Sequence, residues 1–140
     1  MNAEVYRAWR QKANEDLLAA SNLLDDGGPY PTICFLSQQG AEKYLKGYVL
    51  VKGRPLRKIH FLDRLLEDCV EVDPSFHDLL DPAAHLTQYY LTTRYPDDVP
   101  EDIFEPEARD AYAAACRIRE FVGQKIEGPT GADIGRSSDR

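Results

Sequence analysis

CFLSQQGAEKYLKGYVL, residues 34–50, lies near the middle of the chain and has the pattern of a helix that is apolar on most of its sides. In the helix predicted over about residues 31–52, one arc of roughly 120° collects Ile33, Leu36, Ser37, Gly40, Tyr44, Gly47, Tyr48 and Val51. Further apolar side chains lie outside that arc, namely Phe35, Leu45, Val49 and Leu50. Because such a helix needs partners on several sides, we expect it to be the central element of the fold. Its small residues, Gly40, Ala41 and Gly47, permit another helix to approach closely, either from this chain or from a second copy.

Helical periodicity also dominates the rest of the chain, whereas strand signals are nearly absent. A stripe of Tyr6, Trp9, Ala13, Leu17, Ala20 and Leu24 predicts a first helix over about residues 3–25. Asp73-Pro74 and Asp81-Pro82 each resemble a helix cap followed by a first-turn proline. The remaining predicted helices cover about residues 61–71, 74–80, 82–91 and 105–125. We therefore expect an all-α, antiparallel helical bundle formed by residues 1–126, followed by a disordered tail over 127–140.

Composition sets limits on the class of protein. The chain has 140 residues and a formal net charge of −7, which opposes general nucleic-acid binding but allows a local basic patch. No apolar run approaches the roughly 20 residues of a membrane span, and the N-terminus has no apolar signal region, so we expect a cytoplasmic protein. Three scattered cysteines, Cys34, Cys69 and Cys116, favour buried free thiols over a disulfide framework or a zinc site.

A polar stripe runs along the central helix. Gln38, Glu42 and Lys46 are successive i,i+4 neighbours, and Gln39 and Lys43 form a second such pair. Two interpretations remain open, because the stripe could face solvent or could form one wall of a polar cleft.

The loop that follows this helix carries Lys52, Arg54, Arg57 and Lys58, the densest basic cluster of the chain. Since arginine suits bidentate phosphate contact, this loop beside the polar stripe could hold a nucleotide or an RNA backbone. A solvated surface is the alternative. The sequence has no dinucleotide or P-loop glycine motif, no HExxH motif and no metal-ligand spacing among its histidines, so no metal, cofactor or catalytic residue is predicted.

Three segments together resemble the HEPN domain (higher eukaryotes and prokaryotes nucleotide-binding). They are CFLSQQGAEKYLKGYVLVKG, KIHFLDRLLEDC and LTQYYLTTRYPDD, and the resemblance covers about residues 3–125. Its most specific part is the Gln-x-x-Glu-Lys-x-x-Lys pattern of Gln39, Glu42, Lys43 and Lys46. Arg94-Tyr95-Pro96 reinforces it. Two interpretations of this segment remain open: Arg94 could pair with an acidic helix face while Tyr95 packs in the core, or both could border the same groove as Gln39 and Lys43.

The resemblance implies a bundle of about five helices that is often a homodimer. Many prokaryotic relatives are encoded beside a minimal nucleotidyltransferase in a toxin–antitoxin-like pair, and others are metal-independent ribonucleases with an Arg-x4–6-His motif. Counted from Arg94, the histidine positions hold Val99, Pro100 and Glu101, so the motif is missing there. Arg54 and His60 have suitable spacing but flank a different helix.

Two functions are therefore expected from the sequence. The first is a non-catalytic nucleotide- or RNA-binding module that acts as a homodimer with a nucleotidyltransferase partner. The second is a ribonuclease that lacks the usual motif and relies on His60. The predicted ligand-binding residues are Gln39, Glu42, Lys43, Lys46, Arg54, Arg57, Lys58, Arg94 and Tyr95. A bundle without any ligand is the third possibility.

Overall fold

The computed structural model describes residues 3–92 and 103–138, with side chains over residues 3–90 and 103–128. Its helices are α1 (Ala3–Asp26), α2 (Tyr30–Val51), α3 (Leu62–Val72), a 3-10 helix (Pro74–Leu79), α4 (Leu80–Thr87), α5 (Tyr89–Thr92) and α6 (Glu105–Ser138). The described residues contain no strand, so the all-α prediction is confirmed. If the 3-10 helix is counted with α4 and the four-residue α5 is set aside, these segments form the expected bundle of about five helices.

The first two helices form an antiparallel hairpin. Residues 27–29 connect them, and Gly27 has a φ of 87°, which glycine adopts without steric cost. Gly40 of α2 lies against Leu17 and Ala13 of α1, whereas Gly47 lies against Trp9 and Tyr6. Positions later in α2 thus meet positions earlier in α1. The small residues of α2 serve packing within the chain.

Helix α2 is the centre of the bundle, as its sequence predicts. It packs against α1, α3, α4, α5 and α6. Its apolar side chains Ile33, Tyr44, Leu45 and Tyr48 are almost completely buried. Burial of a leucine or isoleucine side chain contributes about 1.5–3 kcal/mol, so these contacts of α2 contribute substantially to the stability of the core.

The chain between α3 and α4 differs in part from the prediction. Asp73 caps the 3-10 helix as expected, because its side chain accepts a hydrogen bond from the backbone N–H of Ser75. Asp81-Pro82 does not start a new helix, since α4 already begins at Leu80, directly after the 3-10 helix. Proline needs no backbone hydrogen bond in a first turn, so Pro82 fits inside α4.

The last helix contains an interruption. Within α6, Gly128 adopts φ 69° and ψ 176°, a non-helical conformation that lies just beyond the predicted end of the helix near residue 125. The disordered tail over 127–140 stays a prediction.

Two further findings concern the described residues. None of their helices is long and apolar enough to cross a membrane. Cys34, Cys69 and Cys116 are free thiols, the first two buried and the third half-buried.

Candidate functional site

The polar stripe of α2 is buried. Gln38, Glu42 and Lys46 are 0%, 5% and 7% exposed. This burial excludes the interpretation that these three residues form a solvent-facing strip. Buried charges are costly unless they are paired and hydrogen-bonded, so the contacts of the stripe decide its role.

Glu42 is the centre of a hydrogen-bonded network. Its Oε2 accepts from Lys46 Nζ at 2.8 Å, and its Oε1 accepts from Gln38 Nε2 at 3.0 Å. The ammonium and carboxylate thus compensate each other one helical turn apart. Both ends of the Gln38 amide form hydrogen bonds, because its Oε1 accepts from Nε2 of Gln39 at 2.7 Å.

His60, at the end of the basic loop, completes this network. Its Nδ1 lies 3.1 Å from Oε2 of Glu42, and its backbone carbonyl accepts a hydrogen bond from Gln38 Nε2 at 2.9 Å. The ring stacks on Tyr90 of α5 with a centroid separation of 4.4 Å and an interplanar angle of 4°. The imidazole is therefore held on one edge by a buried carboxylate and on one face by an aromatic ring.

The ring of His60 is partly exposed. The side chain is 43% exposed, and Nε2 has no hydrogen bond to a described residue. Because a carboxylate only accepts hydrogen bonds, Nδ1 carries the proton in the contact with Glu42. With Nδ1 as the donor, Nε2 of a neutral ring is a hydrogen-bond acceptor.

Lys43 and Gln39 are separated from the buried part of the stripe. Lys43 Nζ forms an ion pair with Asp16 of α1, and both side chains are about a quarter exposed. Gln39 is half-buried and reaches the network only through Gln38. The structure thus brings Glu42 and Lys46 together with His60, and directs Lys43 towards α1.

The cations of the basic loop pair with carboxylates of α3. Arg57 makes a bidentate contact with Asp68, at 3.0 Å from Nε and 2.6 Å from one terminal nitrogen, which raises the pKa of the guanidinium. Arg54 pairs with Glu71. Lys58 is exposed. Arg94 and Tyr95 lie outside the described residues.

The ligand-binding residues predicted from the sequence did not include His60 and Tyr90. The partners of this histidine are distant along the chain, since His60 lies 18 residues from Glu42. One signal was present: the histidine directly follows a cationic loop that begins where the stripe ends. Among the described residues, no group of three or more His, Cys, Asp or Glu side chains could hold a metal ion.

One known protein family matches most of the chain. The model of the HEPN domain matches residues 6–126. The chain belongs to the HEPN family. Membership of this family supports a nucleotide-binding or RNA-related module as the general class of the protein.

Two solved structures are similar to this HEPN chain over nearly their whole length. TT1696 from Thermus thermophilus is 35% identical, with a TM-score of 0.75, and the alignment covers 89% of this chain and 99% of that one. ST0689, described as an archaeal HEPN homologue, is 31% identical, with a TM-score of 0.71 and coverage of 90% and 99%. None of the curated proteins matches the chain.

Proposed function

We propose that this HEPN protein binds single-stranded RNA or a nucleotide at the surface formed by His60, Tyr90 and the basic loop over residues 52–58. We call this the His60 surface. The observation that carries the proposal is the half-exposed imidazole, which is fixed by Glu42 and stacked on Tyr90 two residues after Lys58. A nucleobase can stack on such a ring while neighbouring cations contact the phosphate.

The ion pairs of the loop are compatible with phosphate binding. Arg57 is 52% exposed while it contacts Asp68, and Arg54 is 39% exposed while it contacts Glu71. Ion pairs of exposed arginines are weak, so a phosphate can compete with Asp68 and Glu71 for the two guanidinium groups. Lys58 is exposed as well and adds positive charge beside His60.

The buried network supports the same proposal because it makes the His60 surface rigid. Gln38 binds the backbone of His60 and Glu42 binds its ring, so the end of the loop is attached to the central helix at two points. A ring held in its binding orientation loses less conformational entropy when a ligand binds.

Binding of a fluorescent RNA of about 20 unpaired nucleotides tests the proposal by anisotropy. Because base stacking contributes about 1–3 kcal/mol, we expect His60→Ala to weaken binding about tenfold. His77→Ala is the matched control, since His77 is also exposed but lies in the 3-10 helix. Equal affinities of both variants and the wild type would contradict the proposal.

We also propose that the protein acts as a homodimer with a nucleotidyltransferase in a toxin–antitoxin-like pair. The support is the resemblance of Gln39, Glu42, Lys43 and Lys46 to the family pattern. Sedimentation of the purified chain tests the dimer, and co-purification with a tagged product of the neighbouring gene tests the pair. A monomer over micromolar concentrations, or a nucleotidyltransferase neighbour that elutes separately, would contradict the respective part.

A specific observation favours ribonuclease activity as the second candidate. Nδ1 of His60 contacts Glu42, and Nε2 has no hydrogen bond to a described residue. A carboxylate that holds one imidazole nitrogen in this way is the usual arrangement of a histidine that transfers protons. His60→Phe separates the two candidates, because phenylalanine preserves a ring for stacking but has no nitrogen. If the protein is a ribonuclease, cleavage persists in EDTA, disappears in His60→Phe and persists in His77→Ala. Cleavage that is equal in all variants would exclude His60 as the catalytic group.

A further inference from the structure

A second surface of the molecule carries the opposite charge. A groove of about 310 Å³ lies between α3, the 3-10 helix and the start of α4. We call it the acid-edged groove. Its apolar lining consists of Leu66, Val70 and Leu80, and its acidic lining of Asp63, Glu67 and Glu71. The seventh lining residue is His77 of the 3-10 helix.

The apolar part of this groove is open to solvent at one large side chain. Leu80 is 43% exposed, whereas Leu66 below it is 1% exposed. Val70 is half-buried and packs against the core. The groove therefore offers an apolar contact surface, because no described residue of the bundle covers Leu80 completely.

The acidic part has a regular spacing. Asp63, Glu67 and Glu71 follow each other at four-residue steps along α3, so the three side chains form a row about 12 Å long on one face. Glu71 pairs with Arg54. Asp63 and Glu67 have no ion pair with a described residue, and both are exposed.

The charges of the groove indicate which kind of ligand it can bind. Phosphate groups would be repelled by the row of carboxylates, so RNA does not suit the groove. A helix with arginine or lysine at the same four-residue spacing would place its cations opposite the row. Leucine or isoleucine on the adjoining face would then contact Leu80 and Val70, as in helix-in-groove recognition.

We propose that the acid-edged groove binds a basic amphipathic helix of a partner protein. The helix lies along α3, with its cations opposite Asp63 and Glu67 and its apolar residues against Leu80. The groove adjoins the His60 surface, because Glu71 on its edge pairs with Arg54 of the basic loop. The proposed helix contacts Asp63, Glu67 and Leu80, which are not part of the His60 surface, so its binding is tested without RNA.

A synthetic helix of about 18 residues tests the proposal on the full chain. The peptide carries three arginines at four-residue spacing beside two leucines, and a control peptide of the same composition distributes the arginines around the helix. We expect measurable binding of the first peptide by anisotropy and at least about tenfold weaker binding of the second, since opposed charges determine register and specificity. Equal binding of the two peptides, or no binding of either up to about 1 mM, would overturn the proposal.

Matched variants locate the contact. Glu67→Lys is expected to weaken binding of the first peptide about tenfold, and Leu80→Ser several-fold. Asp25→Lys makes the same charge change at the end of α1, which does not line the groove, and is expected to alter affinity less than about twofold, because contributions of exposed charges outside the contact are screened by salt. An equal effect of Asp25→Lys would mean attraction by net charge alone and would overturn the proposal.

The same variants distinguish a partner protein from a second copy of the chain. We expect the sedimentation coefficient of Glu67→Lys to equal that of the wild type. If Glu67→Lys dissociates an oligomer, the groove is an interface between copies and the proposal is wrong. Circular dichroism establishes that each variant remains folded, which the exposure of Glu67 and Leu80 favours.

Discussion

Lys46 Nζ lies 2.8 Å from Oε2 of Glu42 on the central helix, and the two side chains are only 9% and 6% exposed. The same carboxylate also accepts hydrogen bonds from Gln38 and His60. A buried ion pair contributes little net stability compared with apolar residues, but removal of one partner leaves an uncompensated charge. This pair therefore links the stability of α2 to the position of His60.

Removal of the carboxylate and removal of the ammonium should lower the free energy of unfolding by different amounts. Glu42→Gln leaves the Lys46 ammonium buried beside neutral amides, so we expect a loss of about 3 kcal/mol in the free energy of unfolding. Lys46→Met should cost less, because Gln38 and His60 still donate to Glu42. Urea denaturation measures both variants.

The double variant Glu42→Gln/Lys46→Met is the control for this pair. It removes both charges together, so we expect it to be more stable than Glu42→Gln alone, with a coupling free energy of at least about 1 kcal/mol. Additive losses would show that the two side chains do not compensate each other in solution.

Gly40 and Gly123 should respond oppositely to alanine. A Cβ at Gly40 would lie 2.7 Å from Cδ2 and 2.9 Å from Cγ of the buried Leu17, so the Leu17 side chain or α1 itself would have to shift. Overpacking costs about 1–3 kcal/mol and exceeds the gain of about 1 kcal/mol in helix propensity, so we expect Gly40→Ala to lower the unfolding free energy. A Cβ at Gly123 meets only Glu127 at 3.8 Å, so Gly123→Ala should raise it by up to about 1 kcal/mol. Thermal denaturation of both variants checks the signs, and a stabilising Gly40→Ala would contradict the observed closeness of α1 and α2.

Asp73, which caps the 3-10 helix, should contribute to the loss of stability of the protein in acid. Hydrogen bonds from Ser75 and the ammonium of Lys125, 3.1 Å away, lower the pKa of Asp73. The folded state therefore binds fewer protons at this carboxylate, so its stabilisation is present above the ordinary pKa of about 3.9 and is lost as the pH falls through the lowered value.

Asp73→Asn isolates the charge, because asparagine keeps the oxygen that accepts from Ser75. We expect this variant to be less stable than the wild type at pH 7, with a difference that shrinks as the pH falls below about 4. Asp73→Ala loses both the charge and the cap, so it should be less stable than Asp73→Asn by about 1 kcal/mol at each pH. Urea midpoints across the pH range measure both, and a constant difference between Asp73→Asn and the wild type would refute the charge contribution.

The three thiols should differ in reactivity in the folded protein. Burial and the nearby carboxylate of Glu107 raise the pKa of Cys34 to about 12, and burial raises the pKa of Cys69 as well. Since the thiolate is the reactive form, we expect both to react with iodoacetamide at pH 8 only after denaturation. Cys116 is half-buried and should be alkylated first. Mass spectrometry of timed samples checks the order, and Cys116→Ser should remove the fast phase.

Much of the fold could be predicted because helix patterns are local. The apolar arc of α2 indicated a helix enclosed by others, and its Ile33, Tyr44 and Tyr48 are buried. The stripe of α1 was also correct, with Ala13 and Leu17 in the core. The start of α4 was predicted wrongly, because Asp81-Pro82 has the form of a cap while the preceding 3-10 helix continues directly into Leu80.

The contacts of the candidate site were harder to predict from the sequence than the helices were. The spacing of Gln38, Glu42 and Lys46 placed them on one face of α2, since about 100° of rotation per residue relates neighbours along a helix. It did not predict that this face would be buried against His60, or that Lys43 would turn towards Asp16. The spacing of charges in the loop likewise did not indicate that Arg54 and Arg57 would pair with α3.

The difference has one physical cause. Positions around a helix axis follow from backbone geometry, so the amino-acid order alone defines the helices, the central place of α2 and the polar stripe on it. Contacts between elements depend on the path of the loops and on how the helices pack, so only the folded chain decides that Glu42 meets a histidine 18 residues away. That contact and the stacking of the His60 ring on Tyr90 form the candidate site.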